Sequence, residues 1–192
     1  MVAMGIIARA PVMSNHLQPL PPPWPEDVSA LLAAYPKANG EILSLFRTFA
    51  NSARFLRKGV PNLLDRDSPL PLRIRELVIL RVTALRGCDY EWGVHAAIFA
   101  RAAGLDEAQL AATRAMPLDA TAWDPVEANL LLTIGELCST GRLAPATQAG
   151  FEAHWSCAQQ LEICALAGAY QTVNFVANLA GLPAEAFSYP AP

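Results

Sequence analysis

Cys88, Glu91 and His95 are spaced i, i+3 and i+7. On an α-helix these positions fall within a stripe of roughly 60°, so a thiol, a carboxylate and an imidazole share one face. Cys88 follows Gly87, a helix breaker, and so stands at the N-terminal edge of the helix. Free amides and the helix dipole there favour a thiolate. His95, two turns further on, is positioned to exchange a proton with Cys88 or with a substrate between them. A thiolate, a base and a carboxylate to orient the base form a workable nucleophile. Glu76 precedes Cys88 by twelve residues and is followed by Leu77, Val78, Ile79 and Leu80. If its helix folds back through Gly87, Glu76 points toward the same face. Tyr90 and Trp92 flank Glu91 and are candidates to contact a substrate.

Each residue also has an ordinary reading. Cys88 alone suits an inert buried thiol, and His95 alone a core histidine with its hydrogen bonds made. Glu76 can pair with Arg73 or Arg75, and Glu91 can be a solvated first-turn acid. Joint placement on one face is what raises the set above its members. Elsewhere, His154 and Cys157 lack further ligands at metal spacing, so no metal site is expected. Glu127 reads as the capping-box partner of Asp124, and Cys138 and Cys164 read as core. Tyr170, Asn174 and Asn178 form a polar stripe that serves either a pocket or a helix contact. No glycine-rich phosphate loop is present, and no cofactor is expected.

The elements that must position these groups are helical. Ile42, Leu45, Phe46, Phe49, Ala53 and Leu56 have the spacing of one amphipathic helix. Further helices are expected over residues 72–85, closed by Gly87, and over 89–102, closed by Gly104. Asp106 with Gln109, and Asp124-Pro125 with Glu127, start two more. Pro145 opens another, and the last runs over residues 158–180. No segment alternates with period two between hairpin turns, so the fold class is all-α, an antiparallel helical bundle. Residues 1–36 hold a Pro-rich arm including PLPPPWP, which cannot be helical; residues 37–192 form a single helical domain. The arm is expected to lie over its own body or a neighbouring subunit, with Trp24 as anchor.

The 192 residues are 53% hydrophobic and 16% charged, with net charge −3, which gives no global attraction for nucleic acid. Much apolar surface on a chain this small suggests a homo-oligomer. No apolar run reaches the roughly 20 residues needed to span a bilayer. The start of the chain, with Met1, Met4 and Met13 as possible initiators, makes a poor signal peptide. Four cysteines without a C-x-x-C pair suit the cytoplasm. Charge is uneven: residues 47–86 hold nine Lys/Arg against three Asp/Glu, and residues 87–192 hold three against eleven. The basic stretch is either a solvated face or a source of an arginine for an anionic substrate.

The segment from REL through GCDYEW to His95, with the trailing ARAAGL, resembles the alkyl hydroperoxidase D and carboxymuconolactone decarboxylase superfamily. FRTFA and GAYQTVNFVANLAGLP belong to the same resemblance, which spans residues 41–183. It implies an all-α, alkyl hydroperoxidase D-like protomer in a homo-oligomer, a trimer or hexamer and in some cases a dimer. In peroxidase members a Cys-x-x-Cys pair reduces peroxides while a Glu and a His relay protons. Glu76, Cys88 and His95 match that Glu, the first Cys and the His. Glu91 stands where the second Cys would be, so the motif cannot form an internal disulfide.

Two enzymatic readings follow. In the leading one, Cys88 is the nucleophile of a thiol-dependent peroxidase resolved by an external thiol, with His95 and Glu76 shuttling protons and Glu91 orienting His95. In the other, Glu76, Glu91 and His95 do acid–base work on a small organic acid or lactone as a lyase, decarboxylase or isomerase, and an arginine holds a carboxylate. A non-catalytic oligomeric helical protein is the third possibility.

Overall fold

The computed structural model describes residues 16–190. The first fifteen residues of the arm, with the three candidate initiators, lie outside that range. The arm's described part crosses the body: the Leu20 amide donates to Arg47 O at 3.1 Å, and Asn51 donates to Gln18 O at 2.7 Å. Trp24 donates its indole N–H to Leu20 O at 3.1 Å and packs against the core. Behind Pro25 the chain forms helix α1 (Glu26–Leu32), which buries Val28 and Leu32.

A minimal antiparallel hairpin follows, β1 (Lys37–Ala38) with β2 (Glu41–Ile42). The single amphipathic helix expected over residues 42–56 is two short ones, α2 (Ser44–Phe49) and α3 (Ala53–Lys58). The break has a local cause. Ser52 caps α3 by accepting the Phe55 amide, and Asn51 turns its side chain to Thr48 O and to the arm. Both residues thus compete with continuous helix for backbone partners.

The centre is α4 (Leu72–Leu85), packed between α5 (Asp89–Phe99), α7 (Pro125–Thr140) and α9 (Cys157–Leu179). Leu77, Val78, Ile79, Leu80 and Val82 are fully buried, so α4 has no solvent face along its middle. Gly87 ends it at φ +57°, and the Cys88 amide reaches back to Thr83 O at 2.9 Å. This left-handed turn is what folds α5 antiparallel onto α4. Helix α6 (Glu107–Thr113) is capped by Asp106, α7 by Asp124 with Pro125 in its first turn, and α9 by a Ser156–Gln159 capping box. Helix α8 (Pro145–His154) completes the bundle. Beyond α9 the chain returns across α5, where the Tyr189 amide donates to Gly93 O and its ring meets Trp92 edge-on. Among the described residues no helix is long and apolar enough to cross a membrane.

Candidate active site

Antiparallel packing of α4 and α5 brings Glu76 and His95 together. Glu76 Oε2 lies 2.8 Å from His95 Nδ1, and both side chains are almost wholly buried. On the other side of the ring, Tyr170 of α9 places its hydroxyl 2.8 Å from Nε2. Glu91, one turn before His95, stands 3.8 Å from that nitrogen. Three helices therefore supply one imidazole with two carboxylates and a phenol.

The electrostatics follow from burial and company. Burial alone would push the His95 imidazole down, but the charge and hydrogen bond of Glu76, with Glu91 behind them, carry it upward. Burial pushes Glu91 up to about 7; His95 opposes that shift and Glu185 reinforces it. Tyr170 is driven well above its ordinary range by burial and by the two carboxylates, so it stays a phenol. With neutral His95, Nδ1–H donates to Glu76 and Nε2 accepts from Tyr170. With imidazolium, Nε2–H donates to the Tyr170 oxygen.

This arrangement corrects the roles read from spacing. Glu76, not Glu91, orients the ring, and neither ring nitrogen is hydrogen-bonded to Cys88. Cys88 is buried at the N-terminal edge of α5, as expected, and that burial disfavours its thiolate. Burial pushes its thiol up to about 12; the Glu91 and Tyr90 amides pull the other way, and the charges of Glu91 and Asp89 add to the rise.

Tyr90 and Trp92 also take structural posts. The Tyr90 hydroxyl accepts the Leu45 amide at 3.1 Å and donates to Glu185 at 2.7 Å. Trp92 donates to Thr113 at 3.0 Å on the opposite side of α5, under the Arg114 guanidinium. Three arginines of the basic stretch, Arg73, Arg81 and Arg86, are occupied elsewhere. Arg73 binds Glu127 through Nε at 2.5 Å and Nη2 at 3.2 Å, so the Glu127 side chain serves this ion pair instead of completing a capping box. Arg81 holds the carbonyls of Thr113 and Ala115, and Arg86 binds Gln171 and Cys138 O. Cys164 is exposed, not core.

An open cleft of about 280 Å³ lies at the start of α5, lined by Gly87, Asp89, Tyr90, Ala177, Asn178, Gly181 and Leu182. Its lining includes the residues on either side of Cys88, but not Cys88, Glu91 or His95 themselves. Among the described residues no group of three or more His, Cys, Asp or Glu side chains is disposed to hold a metal ion. Sequence reasoning noticed Tyr170 and Asn174 only as a polar stripe. Glu185 carried no signal, because its role depends on the chain returning after α9.

The arrangement can be compared with known proteins. Residues 54–133, which include Glu76, Cys88, Glu91 and His95, match the model of the carboxymuconolactone decarboxylase family. Over that segment the chain is similar to the carboxymuconolactone decarboxylase family. Two crystal structures share the chain's all-α fold. One is an uncharacterized peroxidase-related protein from Silicibacter sp. TM1040, with TM-score 0.71 and 15% identity, covering 92% of this chain and 96% of that one. The other is an alkylhydroperoxidase AhpD core, an uncharacterized peroxidase-related protein from Ralstonia eutropha JMP134. Its TM-score is 0.69 at 18% identity, covering 90% of this chain and 95% of that one. No curated protein matches the chain in sequence.

Proposed function

We propose that this chain is a proton-transfer enzyme, an isomerase or lyase acting on a small organic acid or lactone. The observation that carries the reading is a histidine fixed between Glu76 and Tyr170 with a second carboxylate, Glu91, 3.8 Å from Nε2. A carboxyl pushed up to about 7 beside a histidine raised from its ordinary value supplies the acid and base such chemistry needs. Glu91 as carboxylate takes a proton from the carbon beside a carbonyl. The C–H electron pair moves onto the carbonyl oxygen, which takes the Tyr170 proton as Tyr170 takes the Nε2 proton of the imidazolium. Glu91 then returns its proton to a different carbon of the conjugated system, and the enol proton goes back through Tyr170 to His95. No electrons leave the substrate.

A second reading is favoured by the cleft beside Cys88 and by the peroxidase-related names of the two structural relatives. There the Cys88 thiolate attacks a hydroperoxide oxygen, the O–O bond breaks to give a sulfenic acid and an alcohol, and an external thiol reduces the sulfur with release of water. A thiol pushed up to about 12 weighs against it, since at neutral pH only about one molecule in 10⁵ would be thiolate.

The test measures two rates in wild type, His95→Gln and Cys88→Ser: deuterium incorporation next to the carbonyl in a panel of small lactones and keto acids, and peroxide-dependent oxidation of an added dithiol. His95→Gln is expected to slow deuterium exchange about 10³-fold while Cys88→Ser leaves it unchanged. Exchange unaffected by His95→Gln, with dithiol oxidation lost in Cys88→Ser, overturns the first reading in favour of the second.

A further inference from the structure

Helix α9 has a second face, turned away from Tyr170. Along it Leu161, Phe175 and Leu179 are 73%, 59% and 70% exposed, and Cys164, Ala165 and Gly168 between them are exposed as well. None of residues 163–184 is charged. A helix face that meets water along its whole length normally carries charges, and large apolar surface left in the open marks a place of contact.

The spacing is that of a helix–helix seam. Ala158, Ala165, Thr172 and Leu179 recur every seven residues, and Leu161, Gly168 and Phe175 do the same three positions further on. These are the a and d positions of a heptad. Gly168 stands in the middle of the stripe. A glycine weakens a helix interior relative to alanine, and among the described residues nothing requires one here, since an added Cβ would meet no atom within 4 Å. What the missing side chain leaves is room for another helix to come close.

We propose that this face is a twofold interface at which α9 packs antiparallel against α9 of a second copy of the chain. In such a pair a positions face d positions across the axis. Setting Leu161 against Leu179 of the second copy places Gly168 opposite Thr172 and Phe175 opposite Ala165. This register brings all three exposed large side chains inside the seam and gives the largest, Phe175, an alanine to cover. A parallel pair would set Phe175 on Phe175 and Gly168 on Gly168, crowding one level and leaving a void at another. Two observations select a second copy as the occupant. The stripe is uncharged, so meeting itself brings no like charges together. Helix α9 has 23 residues, so it is about 35 Å long; packed along that length on its own copy it buries on the order of 1,000 Å² in total, the size a specific interface needs. The inference does not depend on the chemistry assigned to His95, because Tyr170 lies on the other side of α9.

The test is the mass of the full chain in solution at micromolar concentration, with reductant present so that exposed Cys157 and Cys164 cannot link chains. Wild type is expected at an even multiple of 20.6 kDa. Leu161→Glu and Leu179→Lys each introduce the charge that the nearer helix end favours. Each should weaken the twofold contact roughly a hundredfold and halve the mass, with the helical circular dichroism unchanged. Both substitutions in one chain set the new carboxylate against the second copy's new ammonium, and should bind about tenfold more tightly than either single variant. A wild-type mass of 20.6 kDa or an odd multiple of it overturns the proposal. So does a mass unchanged in either single variant, or a double variant no tighter than the single ones. Loss of the helical signal in either single variant overturns it too, since the side chain then serves its own chain's fold. If a monomeric wild type floats with phosphatidylcholine vesicles, the occupant is a lipid surface instead.

Discussion

Two ion pairs tie α4 to its neighbours, and they are built differently. At the N-terminal end, Arg73 meets Glu127 with two parallel hydrogen bonds, one cation to one anion. The arginine is part-exposed, with its side chain 28% accessible, and it spends its remaining donors on the carbonyls of Ala103 and Gly104 beyond α5. Further along the same helix, Glu76 meets His95, but there the single imidazole faces two carboxylates and a phenol, all buried. The first pair balances its charge and so fixes α4 against α7. The second sets two carboxylates against one imidazole in a buried site, and burial, only partly offset by His95, holds Glu91 in a range where it can gain or lose a proton. Both pairs hold helices together; only the second is left with a proton to move.

The contrast can be broken from the buried side. A carboxyl whose folded pKa is raised from 4.5 to about 7 keeps a proton that the unfolded chain releases. Its contribution to stability is complete below about pH 4.5 and is lost as pH rises through 7. His95, also raised, has the same sign: its contribution is present below its ordinary value and is lost as pH rises through the folded one. Urea denaturation at pH 5 and pH 8 should show wild type losing roughly 2–3 kcal/mol across that interval from Glu91. Glu91→Gln should flatten most of the slope. A slope unchanged by Glu91→Gln would mean the surplus carboxylate is not where the charge imbalance lies.

The balanced pair is expected to respond more mildly and without regard to chemistry. Arg73→Met strands Glu127 at a partly hydrated site. It should cost about 2 kcal/mol in denaturation, below the range for a fully buried pair because solvent reaches the arginine. The pH dependence of activity should stay that of wild type. A shifted pH profile in Arg73→Met would show that the two pairs are coupled through α4.

The difference between the pairs also marks what could be read from residue order. Helix ends were legible where a cap or a left-handed glycine states them locally, as at Gly87, Asp106, Asp124 and Gly141. The shared face of Cys88, Glu91 and His95 and the approach of Glu76 follow from helical spacing plus one turn. What was not legible depends on contacts distant in sequence. Tyr170 is 75 residues from His95, and Glu185 is 95 from Tyr90. The bond from Asn51 to Gln18 O in the arm likewise joins residues 33 apart. The environment of Cys88 was hidden for a related reason. Spacing sees the helix terminus, which lowers a thiol pKa, but not the burial that outweighs it.

The central claim is that Glu91 shares a buried site with a histidine already committed to Glu76, and it is tested most directly by infrared difference spectroscopy across a pH titration. The account predicts a C=O stretch of a buried protonated carboxyl group in wild type that disappears with a midpoint near 7 and is absent from Glu91→Gln. A wild-type spectrum with no such band at pH 5.5, or a band that survives in Glu91→Gln, would contradict it.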